Sequence, residues 1–222
     1  MENCITLKID ENLNFLVEET KKGIVSYKSI EPDTLIGMVK RAATPPKVTS
    51  DVLPENCISF SGTICKKRLV IIDFDAGNID KIYENTNYEA FPIPRMAFAF
   101  ILDKEGKIID VYTAVLERGK ITPKTKIYKY PFSNVKEHHL CLGSNAMPEI
   151  KSLHQLGSIP YYIFAMPDNN DRYVGANTKL KMEYRNLLSH LKDKTPNYYY
   201  TDVLIESGET LSDFISMCNK NL

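Results

Sequence analysis

An uninterrupted apolar run followed by a turn constrains the fold of this chain more than any other feature. Met96–Leu102 contains no polar residue, Asp103–Gly106 is a strong turn signal, and Lys107–Val115 is a second run rich in β-branched residues. This pattern predicts a β-hairpin. A strand without polar alternation is typical of the centre of a sheet that is covered on both faces. The sequence therefore predicts an antiparallel meander with helices packed on one face.

Two further runs extend the predicted meander toward the N-terminus. Cys57–Thr63 and Lys67–Phe74 are rich in β-branched and apolar residues, so residues 57–116 are expected to form three or four antiparallel strands. Alternating and apolar runs between Ile5 and Tyr27 predict a separate small β-meander at the start of the chain. A segment rich in Pro, Ser and Thr is expected to connect the two meanders.

The remaining apolar periodicity is helical. Helices are predicted from apolar residues at i, i+3 and i+4 spacing, from Pro at a helix start and from capping residues. The predicted helices are one opened by Pro32 and ended by Thr44-Pro45-Pro46, one over Pro148–Leu156, one over Asn177–Lys192, and one that starts at Thr210 and carries Cys218 on its apolar face. Together with the strands, they indicate the α+β class.

The charge balance limits the kinds of partner that the chain can bind. Its 222 residues carry 28 Lys and Arg against 28 Asp and Glu, which gives a formal net charge of zero. Such a chain has no global positive field for nucleic acid or for an anionic membrane, and neither partner is expected. The apolar runs are far shorter than a bilayer span of about 20 residues. No signal-peptide core follows Met1, so we expect a cytoplasmic protein.

The cysteines indicate free thiols. Cys4, Cys57, Cys65, Cys141 and Cys218 are spread widely and form no Cys-x-x-Cys pair. They therefore predict neither a disulfide framework nor a zinc site of the usual spacing. Because free cysteine is among the most buried residue types, packing is the default interpretation of each. A chemical role for one of them needs support from the residues around it.

An apolar strand that ends in two carboxylates is the first candidate site. Asp73 and Asp75 follow Leu69–Ile72, and such a pair could hold Mg²⁺ and attack phosphorus, as in haloacid-dehalogenase-type phosphatases. Gly77 stands where that family has Thr or Val, and a meander continues where that family has a helix. We prefer a polar strand end with a turn at Gly77-Asn78, and the phosphatase stays open as an alternative.

His138, His139 and Cys141 form the second candidate, because two imidazoles and a thiolate within four residues could bind zinc. In an extended segment His139 and Cys141 share a face and His138 points away, so at most two of the three side chains could reach one ion. No further metal-binding motif supplies more ligands. The sequence therefore predicts no metal and no cofactor.

The residues around Cys141 form a third constellation, which resembles a known family. A Pro-containing loop delivers an Asn, a short polar turn follows, and the Cys lies between two leucines and before a glycine. The motifs are Thr122-Pro-x-Thr125-x-hydrophobic-Tyr128, Pro131-Phe132-x-Asn134-Val135 and Leu140-Cys141-Leu142-Gly143. Their order resembles the active-site segment of ubiquitin-conjugating enzymes. It is similar above all to the prokaryotic ubiquitin-conjugating-enzyme-like family D, also called the PRTRC system protein B family.

This resemblance covers about residues 30–195 and implies a fold. The implied fold is α+β, with a ubiquitin-conjugating-enzyme-like antiparallel β-meander and flanking helices, extended by an N-terminal β-meander and a C-terminal helix. The expected domains are an N-terminal β extension over 1–30, a ubiquitin-conjugating-like domain over 31–195, and a C-terminal segment with a helix over 196–222.

The same resemblance implies a reaction and a set of partners. Cys141 is expected to accept a ubiquitin-like protein as a thioester from a ThiF-like adenylating enzyme and to pass it to a lysine amine of a protein substrate. A JAB-type peptidase is expected in the same bacterial system. Asn134 would brace the loop or donate to the developing oxyanion, and His139 would help to remove a proton from the incoming amine.

Two alternatives to these roles remain open. His139 could be an ordinary exposed surface histidine. The whole chain could be a non-catalytic interaction component of a plasmid or mobile-element system that keeps the fold for protein binding.

Overall fold

The computed structural model describes residues 4–12, 14–21, 23–43, 49–62 and 67–222, and the chain divides into two units, residues 1–47 and 48–222. The first unit holds an antiparallel sheet and one helix: β1 (Cys4–Ile9), β2 (Phe15–Lys21), β3 (Ile24–Ile30) and α1 (Pro32–Ala43). The predicted N-terminal meander and the helix start at Pro32 are confirmed. The predicted helix end at Thr44-Pro45-Pro46 lies outside the described residues, as does Cys65.

The second unit is built on a larger antiparallel sheet. The strands of this unit are β4 (Cys57–Gly62), β5 (Arg68–Phe74), β6 (Gly77–Tyr83), β7 (Thr86–Ile93), β8 (Met96–Leu102), β9 (Ile108–Leu116), β10 (Lys126–Tyr128), β11 (Val135–Lys136), β12 (His139–Leu140) and β13 (Glu206–Thr210). The main order is β11-β12-β9-β8-β5-β4, β10 pairs with both β9 and β13, and β6 and β7 form a separate hairpin.

The predicted apolar strand is the centre of this sheet. β8 pairs with β5 on one side and β9 on the other, and all seven of its residues are buried. The turn that leads into β9 is closed by a hydrogen bond from Gly106 N to Asp103 O at 3.3 Å. Side chains alternate between two hydrophobic clusters, so that Val70 and Ile72 of β5 lie in one cluster while Leu69 lies in the other. The sheet is therefore covered on both faces, as its sequence predicts.

Helices complete the two layers. They are α2 (Ile159–Ala165), α3 (Tyr184–Leu191) and α4 (Leu211–Lys220), together with 3₁₀ turns over Leu153–Ser158 and Gly175–Asn177 and a π-helical turn over Tyr199–Val203. Buried side chains of α2, α3 and the β6–β7 hairpin pack in the cluster that contains Val70, whereas those of α4 pack in the opposite cluster. None of the helices in the described part of the chain is long and apolar enough to span a membrane.

The C-terminal helix is confirmed in detail. Thr210 is the N-cap of α4, its Oγ1 accepts a hydrogen bond from Asp213 N, and the Asp213 side chain accepts one from Thr210 N at 2.9 Å. This reciprocal pair is a capping box. Cys218 is fully buried on the inner face of the helix, where its sequence position places it.

Two helix predictions are wrong in extent. The helix predicted over Asn177–Lys192 begins only at Tyr184, because Thr178 Oγ1 accepts a hydrogen bond from Lys181 N at 3.2 Å and Lys181 has a left-handed backbone with φ of 53°. A local side-chain bond of this kind competes with a helix.

The helix predicted over Pro148–Leu156 starts later, as the 3₁₀ turn at Leu153 that continues into α2. The Gln155 side chain accepts hydrogen bonds from Lys151 N at 2.9 Å and Ser152 N at 3.1 Å, and these bonds fix the start of the helix after Ser152.

The predicted meander is also incomplete between β5 and β8. Gly77-Asn78, predicted as a turn, is the start of β6, and the β6–β7 hairpin adds two strands to the three or four expected. In β6 the residues Ile79, Lys81 and Tyr83 are buried while Asn78 and Asp80 are exposed. The lysine interrupts the apolar face of this strand, which explains why its alternation is not evident from the sequence.

Candidate active site

A minimal hairpin brings Asn134 and Cys141 together. β11 and β12 pair with Val135 opposite Leu140, and the two-residue connection Glu137-His138 has positive φ at both positions, 48° and 68°. This is the backbone that a two-residue type I′ hairpin turn requires. Extending the register by one residue on each side places Asn134 opposite Cys141. The seven-residue spacing in the sequence therefore becomes direct adjacency in the fold.

The main chain of Asn134 is fixed on both sides. Cys141 N donates a hydrogen bond to Asn134 O at 2.8 Å, and Asn134 N donates one to Asp171 O at 2.7 Å. Asn134 has φ of 63°, a left-handed conformation that Asn adopts more readily than most residues. The hairpin is held to the main sheet because Thr113 N of β9 donates to His138 O at 2.8 Å.

The Cys141 thiol is half-buried and lines a pocket between the hairpin and α2. The apolar wall comes mainly from the residues that flank the Cys and from α2, and the polar lining comes from loops and from β6. The lining residues are Lys81, Tyr130, Ser133, Asn134, Leu140, Cys141, Leu142, Asn145, Ile163, Phe164, Met166, Pro167 and Asp168. A half-buried cysteine in a pocket that also contains amide and hydroxyl residues is an arrangement suited to a nucleophile.

A buried ion pair is part of the lining of this pocket. Lys81 Nζ contacts Asp168 Oδ2, and the two side chains are only 4% and 12% exposed. Lys81 Nζ also lies 5.5 Å and 5.6 Å from the ring centres of Phe132 and Phe164. Burial lowers the pKa of Lys81, and the neighbouring Asp168 carboxylate opposes that shift.

Two hydroxyl groups share the same carboxylate oxygen. Asp168 Oδ2 accepts hydrogen bonds from Tyr184 Oη at 2.7 Å and from Ser133 Oγ at 3.2 Å. Burial raises the pKa of Tyr184 well above its usual value, so its hydroxyl remains a donor at neutral pH. The second oxygen, Asp168 Oδ1, is buried and has no hydrogen-bond partner among the described residues.

Sequence reasoning missed Lys81 and Asp168 as site residues. One signal for Lys81 exists, because it lies between Ile79 and Tyr83 on a face that is otherwise apolar. Asp168 gives no such signal. It lies in a loop, and its partner Lys81 is 87 positions away in the sequence.

The structure does not bring His139 into the pocket. His139 Nε2 lies 3.0 Å from Asp110 Oδ1, and its ring packs edge-on against Tyr112 at 5.3 Å. Tyr112 belongs to one hydrophobic cluster and Leu140, which lines the pocket, belongs to the other. The His139 ring and the Cys141 pocket therefore lie on opposite faces of the sheet.

The geometry gives no support to a metal site at the histidines. His138 Nδ1 lies 3.1 Å from Thr113 O and its Nε2 lies 3.0 Å from Glu209 Oε2, so both ring nitrogens have partners other than Cys141. Within the described residues, no group of three or more His, Cys, Asp or Glu side chains is arranged to hold a metal ion.

Asp73 and Asp75 do not form a paired carboxylate site. Arg95 donates to both oxygens of Asp73, from Nε at 2.8 Å and from Nη2 at 2.5 Å, while the Asp75 side chain is 91% exposed. The bidentate guanidinium neutralises the carboxylate that a phosphatase would use as its nucleophile. Asp73 is thus one partner of a structural ion pair with Arg95.

Two other cysteines, Cys57 and Cys218, do not line this pocket. Cys218 is fully buried, and burial raises its pKa to about 12. Cys57 is half-buried in β4, and burial raises its pKa as well, against a weaker effect of Ser59 O. Cys141 is the cysteine that shares a pocket with the motif residue Asn134.

The fold and the site define an α+β protein with a half-buried thiol beside an asparagine at the edge of an antiparallel sheet. The family model for prokaryotic E2 family D matches residues 36–207, which include every residue of this pocket. The chain belongs to this family. The resemblance deduced from the motifs around Cys141 is therefore confirmed. No match was found among curated proteins or among solved structures.

Proposed function

We propose that the chain is a ubiquitin-conjugating-like enzyme of a bacterial ubiquitin-like modification system. It accepts a ubiquitin-like protein as a thioester on Cys141 from a ThiF-like activating enzyme and transfers it to a lysine amine. The observation that carries the proposal is the half-buried Cys141 thiol in a pocket beside Asn134, within a chain of prokaryotic E2 family D.

The proposed chemistry consists of two acyl transfers on one sulfur. In the first, the Cys141 thiolate attacks the carbonyl of the modifier's C-terminal glycine, and the thiolate of the activating enzyme leaves. In the second, a neutral lysine amine attacks the new thioester, the Cys141 thiolate leaves, and the amine proton passes to a base. Thiolates exchange thioesters readily at neutral pH, so neither step needs a metal or a cofactor.

Asn134 supports the second step. Asn134 lines the same pocket as Cys141, and both of its main-chain groups are already bonded, so its side-chain amide is the group free to act on the thioester. A donor in this position stabilises the oxyanion of the tetrahedral intermediate, and loss of one such donor typically slows a reaction about 10²- to 10³-fold. His139 is held by Asp110 on the opposite face of the sheet, so the amine proton passes to solvent and His139 has no proposed part in this step.

The domain plan and partners are part of the proposal. Residues 31–195 would form the ubiquitin-conjugating-like domain, with 1–30 and 196–222 as extensions. Family membership supports a ubiquitin-like context. The partners that we propose within it are a ThiF-like activating enzyme, a ubiquitin-like modifier, a JAB-type peptidase and protein substrates.

A loading assay tests the proposal. The chain is incubated with its cognate activating enzyme, the modifier and ATP, and an adduct that disappears on thiol treatment is sought on non-reducing gels. We expect the adduct on the wild-type chain and on Cys57→Ser, which removes another half-buried thiol. We expect no thiol-sensitive adduct on Cys141→Ser.

The amine step is then followed by adding free lysine to the loaded chain. Asn134→Gly removes the amide and keeps the left-handed backbone, and we expect it to slow the discharge more than His139→Gln does. A folded wild-type chain that forms no adduct but still binds the activating enzyme or the modifier would contradict the enzyme and favour the non-catalytic interaction component.

A further inference from the structure

The ion pair of Lys81 and Asp168 is an unexpected feature of the pocket lining, because both charged side chains are buried. The two side chains are 4% and 12% exposed, and the aromatic rings of Phe132 and Phe164 face the lysine. Removing two charges from water costs free energy that their attraction often does not repay, so a buried pair is weak evidence for a stabilising role. Its position in the lining of the Cys141 pocket points to a different role.

Asp168 connects segments that are far apart in the sequence. Its Oδ2 contacts Lys81 of β6, Ser133 of the loop before the hairpin and Tyr184 of α3. Its main chain is also held to β6, because Asp168 N donates to Ile82 O at 3.1 Å and Asp168 O accepts from Glu84 N at 2.8 Å. The Asp168 carboxylate is therefore held in place by several segments, and it can fix the position of the loop that contains Ser133.

The residue that bonds to the Asp168 carboxylate, Ser133, directly precedes Asn134 in the chain. Ser133 Oγ donates to Asp168 Oδ2 at 3.2 Å, and the next residue, Asn134, donates its N–H to Asp171 O at 2.7 Å. Ser133 is only 3% exposed, so water does not readily replace Asp168 as its partner. Two successive residues of the loop are thus bonded to residues 168–171, and the strained φ of Asn134 is maintained between them.

We propose that Asp168, held by Lys81, is a positioning residue that acts through Ser133 to aim the Asn134 amide at the acyl group on Cys141. This inference rests on the proposed function of Cys141. The Asp168 carboxylate supplies the acceptor that orients the Ser133 hydroxyl, and the contact with Lys81 Nζ holds this carboxylate in place. Neither residue bonds to the acyl group itself.

Ser133→Ala is the most direct test, because it removes the hydroxyl link and leaves both charges in place. Ser207→Ala is the matched control, since Ser207 Oγ also donates one partly buried hydrogen bond, to Ile127 O at 2.9 Å, in the segment next to α4. A third variant, Lys81→Met with Asp168→Asn, removes both charges together and avoids leaving one of them buried alone. Thermal unfolding of each variant verifies that it is folded.

The probe is a fluorescent Gly-Gly peptide carried as a thioester of 2-mercaptoethanesulfonate. It is first transferred to Cys141, with Cys141→Ser as the background, and the loaded chain is then mixed with lysine. We expect Ser133→Ala and the doubly neutralised variant to discharge about 10- to 100-fold more slowly than wild type, because small displacements of a positioned group have effects of this size. Ser207→Ala should match wild type.

Two further readouts separate positioning from a general structural effect. The rate of Cys141 alkylation by iodoacetamide should change less than about twofold in Ser133→Ala, since the thiol itself is untouched. Adding Asn134→Gly to Ser133→Ala should slow discharge little beyond Asn134→Gly alone, because both changes remove the same aimed amide.

The outcomes distinguish the two proposals. A wild-type chain that does not take the acyl group on Cys141 overturns the proposed function and this inference together. A chain that loads and discharges, and whose Ser133→Ala variant discharges at the wild-type rate, overturns only the positioning role. Fully multiplicative effects of Ser133→Ala and Asn134→Gly would also overturn it.

Discussion

Asn134 shows how a single residue links the hairpin to the pocket. Its left-handed backbone lets its carbonyl accept from Cys141 N while its own N–H reaches Asp171 O. Among the coded residues, Gly and Asn take this conformation at the lowest cost. Of these two, only Asn also supplies an amide donor. The residue therefore satisfies a backbone requirement and a chemical one at the same site.

Thiol reactivity gives a prediction for individual residues. Because burial raises the pKa of Cys218 to about 12, its thiolate fraction at pH 8 is only about 10⁻⁴. Cys57 also has a raised pKa. With limiting iodoacetamide at pH 8, we expect native-state alkylation in the order Cys141, Cys57, Cys218, as measured by peptide mass spectrometry.

The same reaction in concentrated urea is the control, since unfolding should bring the three rates close together. Native Cys218 that reacts as fast as Cys141 would contradict the burial of Cys218 in the core.

At the residue scale, the sequence predicted part of the site. Asn134 and Cys141 lie in one short motif, so local order was sufficient to pair them. Lys81 and Asp168 are separated by 87 positions, and only the packing of β6 against the loop after α2 brings them together. The alternation around Lys81 is a local signal of its burial, but no local pattern identifies Asp168 as its partner.

The β8–β9 hairpin is an element whose turn depends on one glycine. Gly106 has φ of 91°, and a Cβ at this position would lie 2.2 Å from Ile150 O. Ile150 N in turn donates to Gly106 O at 3.0 Å, so the two backbones are in direct contact. The turn therefore needs glycine for its conformation and for the close approach of a second chain segment.

Gly106→Ala is predicted to destabilise the protein more than Gly119→Ala. Gly119 has φ of 104° but nothing within 4 Å of an added Cβ, so it isolates the cost of the backbone conformation. We expect a loss of about 1–2 kcal/mol at Gly119 and about 1–3 kcal/mol more at Gly106, where the neighbouring backbone must move.

Urea unfolding followed by circular dichroism measures both changes. Gly77→Ala serves as the reference for added bulk alone, because Gly77 has neither a positive φ nor a Cβ contact. Equal stability of Gly106→Ala and Gly119→Ala would refute the close approach at Ile150.

Helices and strands are predicted correctly where the signal lies in the local sequence. They are predicted wrongly where contacts with distant residues determine where an element begins. The apolar run of β8 and the capping box of α4 specify their own structure. By contrast, α3 starts at Tyr184 because residues 178–181 form a turn tied by Thr178, which also bridges to Leu204. An apolar stripe that continues through Leu180 cannot reveal that competition.

For the whole molecule, the hydrophobic core is confined to the second unit. Both clusters of buried side chains consist of residues between Leu69 and Cys218, and none comes from the described part of residues 1–47. A chain that begins at residue 48 contains every residue of both clusters and is therefore expected to fold and to unfold in one cooperative transition.

Differential scanning calorimetry of the chain that begins at residue 48 measures this transition. A scan without a cooperative unfolding peak would contradict the confinement of the core to the second unit.

The most direct test of the central claim is the mass of the loaded chain. After reaction with the cognate activating enzyme, modifier and ATP, intact-protein mass spectrometry should show an increase equal to the modifier minus one water. Fragment ions should place the modifier's C-terminal glycine on Cys141, and dithiothreitol should restore the original mass. An adduct on another residue, or one that survives dithiothreitol, would contradict the thioester at Cys141.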